Sequence, residues 1–167
     1  IPDTQSERDE RHLAIQRVGV KDVRYPLRLR VAGAEQQTAA LWTLDVALPA
    51  EKKGTHMSRF VAWLDGLDAP LDAALLRDKL GAMLTLLGAS EGRIESRFSF
   101  FLRKRAPVSG VSSLMDYQGR WIAEARDGKT TVWTEVAVPV KSLCPCSKEI
   151  SDYGAHNQRS TVTIRVE

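Results

Sequence analysis

The chain has 167 residues, of which 43% are hydrophobic and 27% charged, a balance typical of a globular protein with a sizeable core. Its net charge of +3 and its pI near 9.0 suit an anionic partner, and a nucleotide fits as well as a nucleic acid. The sequence shows no apolar run of membrane-spanning length and no apolar leader, so we expect no membrane span, no signal peptide and a cytoplasmic location.

Two strands and then two helices are predicted in the first half of the chain. Residues 1–11 are polar and read as an extended arm. Apolar and polar residues alternate over 24–31 and 42–48, which predicts a hairpin of two strands. Helical spacing replaces this alternation over 55–66 and 70–88, and each of these segments ends at a glycine.

Strand patterns fill the second half of the chain. Apolar residues alternate over 94–103, 114–125, 131–140 and 162–166, and Asp127-Gly128 between the middle two is a strong hairpin signal. The order strand, strand, helix, helix, strand, strand predicts an α+β fold in which both helices cover one face of an antiparallel sheet.

Both cysteines and one of the three histidines lie within residues 142–160. Pro145 favours an extended backbone at Cys144, so the sulfurs of Cys144 and Cys146 could face one pocket, with His156 returning across a short loop. A thiolate and an imidazole are a plausible pair of zinc ligands, and the second thiol would then serve proton transfer or redox chemistry. The alternative is two buried thiols and a loop histidine, and spacing alone does not decide which cysteine would bind a metal.

Three separated stretches resemble the type IB GTP cyclohydrolase I family. They are residues 17–26 (RVGVKDVRYP), 54–60 (GTHMSRF) and 142–160 (SLCPCSKEISDYGAHNQRS), and they occur in the family's order. The resemblance implies a tunnelling fold made of tandem ββααββ modules, the first over 1–110 and the start of a second over 111–167. It also implies an enzyme of folate and pterin synthesis, which hydrolyses the guanine ring of GTP to formate and 7,8-dihydroneopterin triphosphate.

The same resemblance implies roles for the residues of the third stretch. Cys144 and His156 match the family's metal ligands, and Cys146 matches a proton donor or acceptor beside the metal, so both cysteines are predicted to be catalytic. The expected cofactor is a divalent metal, zinc before Mn²⁺ or Fe²⁺. The family's further acidic metal ligand and its purine-anchoring acid cannot be assigned in this chain.

Four basic residues in the matching stretches are candidates for binding the triphosphate, because arginine and lysine bind phosphate groups. They are His56, Arg59, Lys148 and Arg159. Ordinary surface charge is the alternative for each of them. The family further implies a homo-oligomer, a tetramer with its active site between subunits, and no nucleic-acid or membrane partner.

Three other functions compete with this one. A deazaguanine nitrile reductase on the same fold would use a cysteine nucleophile and NADPH, but the chain lacks the Glu-Ser-Lys-Ser type of motif that marks that group. An archaeal branch of the cyclohydrolases would form a cyclic phosphate product. A small zinc-stabilised binding domain is the non-enzymatic alternative. Formate release from GTP, together with metal analysis, separates these possibilities.

Overall fold

The computed structural model describes residues 7–8, 10–145, 149 and 157–167, and within these ranges the chain forms six strands and two helices. In chain order these elements are β1 (Ile15–Val31), β2 (Ala34–Leu48), α1 (Met57–Asp65), α2 (Ala73–Leu87), β3 (Gly92–Arg105), β4 (Ser112–Arg126), β5 (Lys129–Leu143) and β6 (Asn157–Val166). Neither helix is long and apolar enough to cross a membrane.

The six strands form one antiparallel sheet in sequence order, from β1 at one edge to β6 at the other. Asp127 and Gly128 both have positive φ, 50° and 72°, as a tight hairpin turn requires, and this turn returns the chain from β4 directly onto β5. β5 and β6 therefore extend the sheet that β1 to β4 began.

The element order is thus ββααββββ in a single sheet, and the predicted tunnelling fold with ββααββ order is wrong. The strands from β4 onward fall within the predicted second module, but they add to the existing edge, since each pairs antiparallel with the strand before it in the sequence. The division into modules over 1–110 and 111–167 stays a prediction.

Helices α1 and α2 cover one face of the sheet and build the core with it. Helix α2 begins after Asp72, whose side chain accepts a hydrogen bond from the Leu75 backbone N–H at 3.0 Å. It ends at Gly88, which has a left-handed φ of 59°. Trp63 of α1 meets Trp42 of β2 edge-on, with 6.0 Å between the ring centres. The buried residues of α2 are Leu76, Leu80, Met83 and Leu87.

The opposite face of the sheet carries charged side chains that pair with one another. Arg120 of β4 donates hydrogen bonds to Glu95 of β3 and to Glu135 of β5, each at 3.0 Å. Arg165 of β6 contacts Glu135 at 3.2 Å and lies 5.1 Å from the ring centre of Trp133. The side chains of Glu95 and Glu135 are only 14% and 16% exposed, so solvent screens these pairs less than ordinary surface pairs.

Candidate functional site

Cys144 lies at the end of the hairpin formed by β5 and β6. The pairing of these strands runs up to Leu143 opposite Asn157, and Cys144 follows directly and is half-buried. The predicted site residues Cys146, Lys148 and His156 fall outside the described residues. Within the described ranges no three His, Cys, Asp or Glu side chains are grouped to hold a metal. Of the two predicted metal ligands, these ranges include Cys144 and leave out His156.

Arg159 of β6 lies directly opposite Lys141 of β5 in the strand register, and both side chains are exposed. Directly opposed residues of antiparallel strands project from the same face, and two like charges in this arrangement repel each other. An anion bound between the two side chains would relieve that repulsion. Sequence reasoning did not single out Lys141, because only the strand register brings it beside Arg159. Lys141 lies three residues before Cys144 in the chain.

His56 and Arg59 lie at the other end of the sheet, where β2 leads into α1. Both line a cavity of about 180 Å³ between the end of β2, the start of α1 and the end of α2. His56 immediately precedes α1 and is half-buried, and Arg59 lies in the first turn of that helix and is exposed. The structure therefore brings these two predicted residues together.

Arg59 also contacts the C-terminal end of α2, and a second cation, Lys52, contacts the same helix end. The Arg59 guanidinium donates to the Leu86 carbonyl at 3.1 Å, and Lys52 Nζ donates to the Gly88 carbonyl at 2.7 Å. These carbonyls belong to the C-terminal end of α2, which carries partial negative charge. Lys52 is a further lining residue of the cavity that sequence reasoning did not single out, since it belongs to a polar loop outside the matching stretch.

Among the described residues, the two groups of predicted site residues do not meet within one chain. Ala40, Phe98, Gly119 and Val136 lie side by side across β2 to β5. From that row Cys144 is eight residues toward one end of the sheet, whereas Ala47, which lines the His56 cavity, is seven residues toward the other. At about 3.3 Å per residue the two positions are about 50 Å apart along the strands.

The first matching stretch, residues 17–26, forms part of β1 and has a structural explanation. A Cβ at Gly19 would lie 1.9 Å from the Leu44 carbonyl oxygen, so only glycine lets β1 approach β2 there. Asp22 adopts a left-handed φ of 55° at an irregularity in the β1–β2 register, and its carboxylate accepts a hydrogen bond from Arg97. These residues fix the path of the edge strand.

Arg17 of the same stretch lines a second cavity, a cleft of about 400 Å³ on the charged side of the sheet. Its guanidinium donates to Glu124 at 3.2 Å. Asp45 lines the cleft as well. Burial raises the pKa of its carboxyl group, and the charges of Arg17 and Arg93 act in the opposite direction. The pKa of Asp45 nevertheless stays above its ordinary value. This cleft mixes carboxylates with arginines and suits a polyphosphate less well than the cavity at His56.

Comparison with known proteins gives a match over the whole chain. The family model described as type I GTP cyclohydrolase folE2 matches residues 1–167. A GTP cyclohydrolase FolE2 of Methylibium petroleiphilum is 75% identical over 171 residues, which cover 100% of this chain and 58% of that protein. A GTP cyclohydrolase FolE2 of Paraburkholderia xenovorans is 58% identical, with 100% and 63% covered. The relative named GTP cyclohydrolase FolE2 2 in Cupriavidus metallidurans is 56% identical, with 100% and 62% covered. The chain thus spans about three fifths of the length of these curated relatives.

Proposed function

Because this chain belongs to the type I GTP cyclohydrolase FolE2 family, we propose that the whole protein is a GTP cyclohydrolase I. It hydrolyses the imidazole part of the guanine ring of GTP, releases formate and leaves 7,8-dihydroneopterin triphosphate for folate and pterin synthesis. The observation that carries this proposal is the family match over residues 1–167, which includes the complete stretch around Cys144 and His156.

The proposed metal site uses Cys144 and His156 as protein ligands. The half-buried position of Cys144 at a strand end suits a thiolate that is shielded on one side and open on the other. Sulfur and nitrogen donors favour zinc, with Mn²⁺ and Fe²⁺ as alternatives. A zinc ion bound there would supply the Lewis acidity by which water becomes a strong nucleophile near neutral pH. Cys146 is assigned the proton transfer that ring opening requires.

We assign the triphosphate of GTP to the Lys141 and Arg159 pair, with Lys148 as a further candidate. The opposed cations lie on one face of the β5–β6 hairpin, close in sequence to Cys144. A polyphosphate between them would turn a repulsive contact into two charge-assisted contacts, and arginine can bind a phosphate through two parallel N–H groups. This arrangement would hold the nucleotide near Cys144, which follows β5 directly.

The separation of the two groups of predicted residues favours a site shared between copies of the chain. His56 and Arg59 lie about 50 Å along the strands from Cys144, at a rise of about 3.3 Å per residue, so they can contact the same GTP only from another copy. The edge strands β1 and β6 each leave one side without a strand partner in the described sheet, and such edges can pair between subunits. This arrangement supports a homo-oligomer, and the tetramer is the form that the family resemblance implies.

The test separates metal binding from turnover by replacing each cysteine with serine in the whole protein. Cys144→Ser is expected to lose both metal and formate release, whereas Cys146→Ser keeps its metal and loses about 100-fold to 10,000-fold in rate, as removal of a proton-transfer group does. Metal is measured by elemental analysis and formate by its release from GTP. An empty Cys146→Ser enzyme beside a loaded Cys144→Ser enzyme would reverse the two roles. Absence of formate release by the wild-type enzyme would refute the function.

A further inference from the structure

The cavity at the start of α1 is lined by basic side chains and, among the described lining residues, by no carboxylate. Lys52, His56 and Arg59 lie around it, and Thr55 adds a hydroxyl group. The geometry points to an anion site that takes a phosphate group of a polyphosphate, with Lys52 as a binding residue. This inference concerns the cavity itself and does not depend on the reaction proposed for the residues around Cys144.

The positive charge around the cavity exceeds what the end of α2 requires. The C-terminus of a helix carries about half a negative charge, whereas Lys52 and Arg59 bring two full positive charges to it. Each cation is seen to donate to one carbonyl, Gly88 for Lys52 and Leu86 for Arg59. An ammonium group has three N–H donors and a guanidinium group has five, so donors remain for an anion on both side chains.

The dimensions of the cavity limit what it can hold. Its volume of about 180 Å³ equals about six water molecules at roughly 30 Å³ each. Pockets that enclose a whole small molecule measure about 300–1,000 Å³. The cavity therefore admits a phosphate group and leaves a nucleoside outside. Helix α1 starts at the cavity without an acidic residue in its first turn, which leaves its positive end available to the same anion.

Isothermal titration calorimetry of the whole protein with inorganic triphosphate tests the site. We expect Lys52→Met to weaken triphosphate binding at least about ten-fold, the loss typical of one charge-assisted hydrogen bond. Lys52→Arg keeps the charge and should stay within about three-fold of wild type. Lys53→Met is the matched control, because Lys53 is the next residue and a lysine, but it pairs with Glu7 at 2.8 Å and does not line the cavity.

The outcomes decide between a site and a purely structural role. A thermal unfolding scan of each variant shows whether loss of the contact between Lys52 and α2 lowers Tm. A purely structural role predicts a lower Tm with unchanged affinity for triphosphate. Unchanged affinity in Lys52→Met, or an equal loss in Lys53→Met, would overturn the proposal.

Titration with GTP identifies the source of the phosphate. An equal loss of GTP affinity in Lys52→Met would assign the cavity to the nucleotide's phosphate, and a loss confined to inorganic triphosphate would assign it to a free polyphosphate. Formate release by the wild-type enzyme is measured separately, so that failure of the proposed reaction leaves the binding result standing.

Discussion

Replacing Gly119 by alanine should destabilise the protein, because β4 has no room for a side chain at that position. A Cβ there would lie 2.5 Å from Cε2 and 2.8 Å from Cζ of Phe98. The Phe98 ring is 5% exposed and packs against Trp121 with 4.5 Å between the ring centres, so it cannot rotate away without losing that contact. Overpacking of this kind costs about 1–3 kcal/mol.

Thermal and urea unfolding measure the effect. For a chain of this size 1 kcal/mol corresponds to about 2–4 °C in Tm, so Gly119→Ala should lower Tm by about 2–12 °C. Gly81→Ala is the matched control, since Gly81 is exposed within α2 and an added Cβ would meet nothing within 4 Å. That substitution should stabilise the protein by about 0.5–1 kcal/mol. A Gly119→Ala protein as stable as wild type would refute the argument, because it would show that the Phe98 ring moves aside freely.

Two further substitutions test the two faces of the sheet. Burial would raise the pKa of Glu95, but the hydrogen bond and charge of Arg120, with the charges of Arg93 and Arg97, outweigh burial and hold the pKa below its ordinary value. The Glu95 carboxylate therefore stabilises the fold above its unfolded pKa of about 4.3 and loses this effect as pH falls through its lower folded pKa. The Tm of Glu95→Gln should accordingly be below that of wild type at pH 7 and converge with it as pH falls below the folded pKa of Glu95. On the helix side, Ser96 Oγ is fully buried without a hydrogen-bond partner in the described part of the chain, so Ser96→Ala should keep or raise Tm. A loss above about 1 kcal/mol would show that this hydroxyl makes a hydrogen bond.

Hydrophobic periodicity located the regular strands and failed where a strand is irregular. The hairpin predicted over 24–31 and 42–48 lies within β1 and β2, but β1 begins at Ile15. The pattern before residue 24 is broken because Gly19 has no side chain and because the register shifts around the left-handed Asp22. A strand that bends in this way does not keep the alternation on which the prediction depended.

Periodicity also could not tell which sheet a strand joins. The patterns over 131–140 and 162–166 predicted strands, and β5 and β6 contain them. A period of two shows that one face is buried, but it carries no information on the neighbouring strand, so the tunnelling fold had to come from the resemblance and was wrong. The resemblance itself was confirmed at the level of a type I GTP cyclohydrolase, under the family name FolE2 rather than type IB.

The stretch 54–60 shows why a shared motif does not by itself identify binding residues. Phe60 is fully buried, and Arg59 joins the first turn of α1 to the carbonyl end of α2, so packing explains both residues without any ligand. What packing does not explain is the second cation at the same helix end, because Lys52 and Arg59 together bring more charge than the partial charge of that end requires. This excess of positive charge arises only in the folded chain, because the loop after β2 brings Lys52 to the end of α2. For that reason Lys52, which lies outside the motif, is the more informative residue to replace.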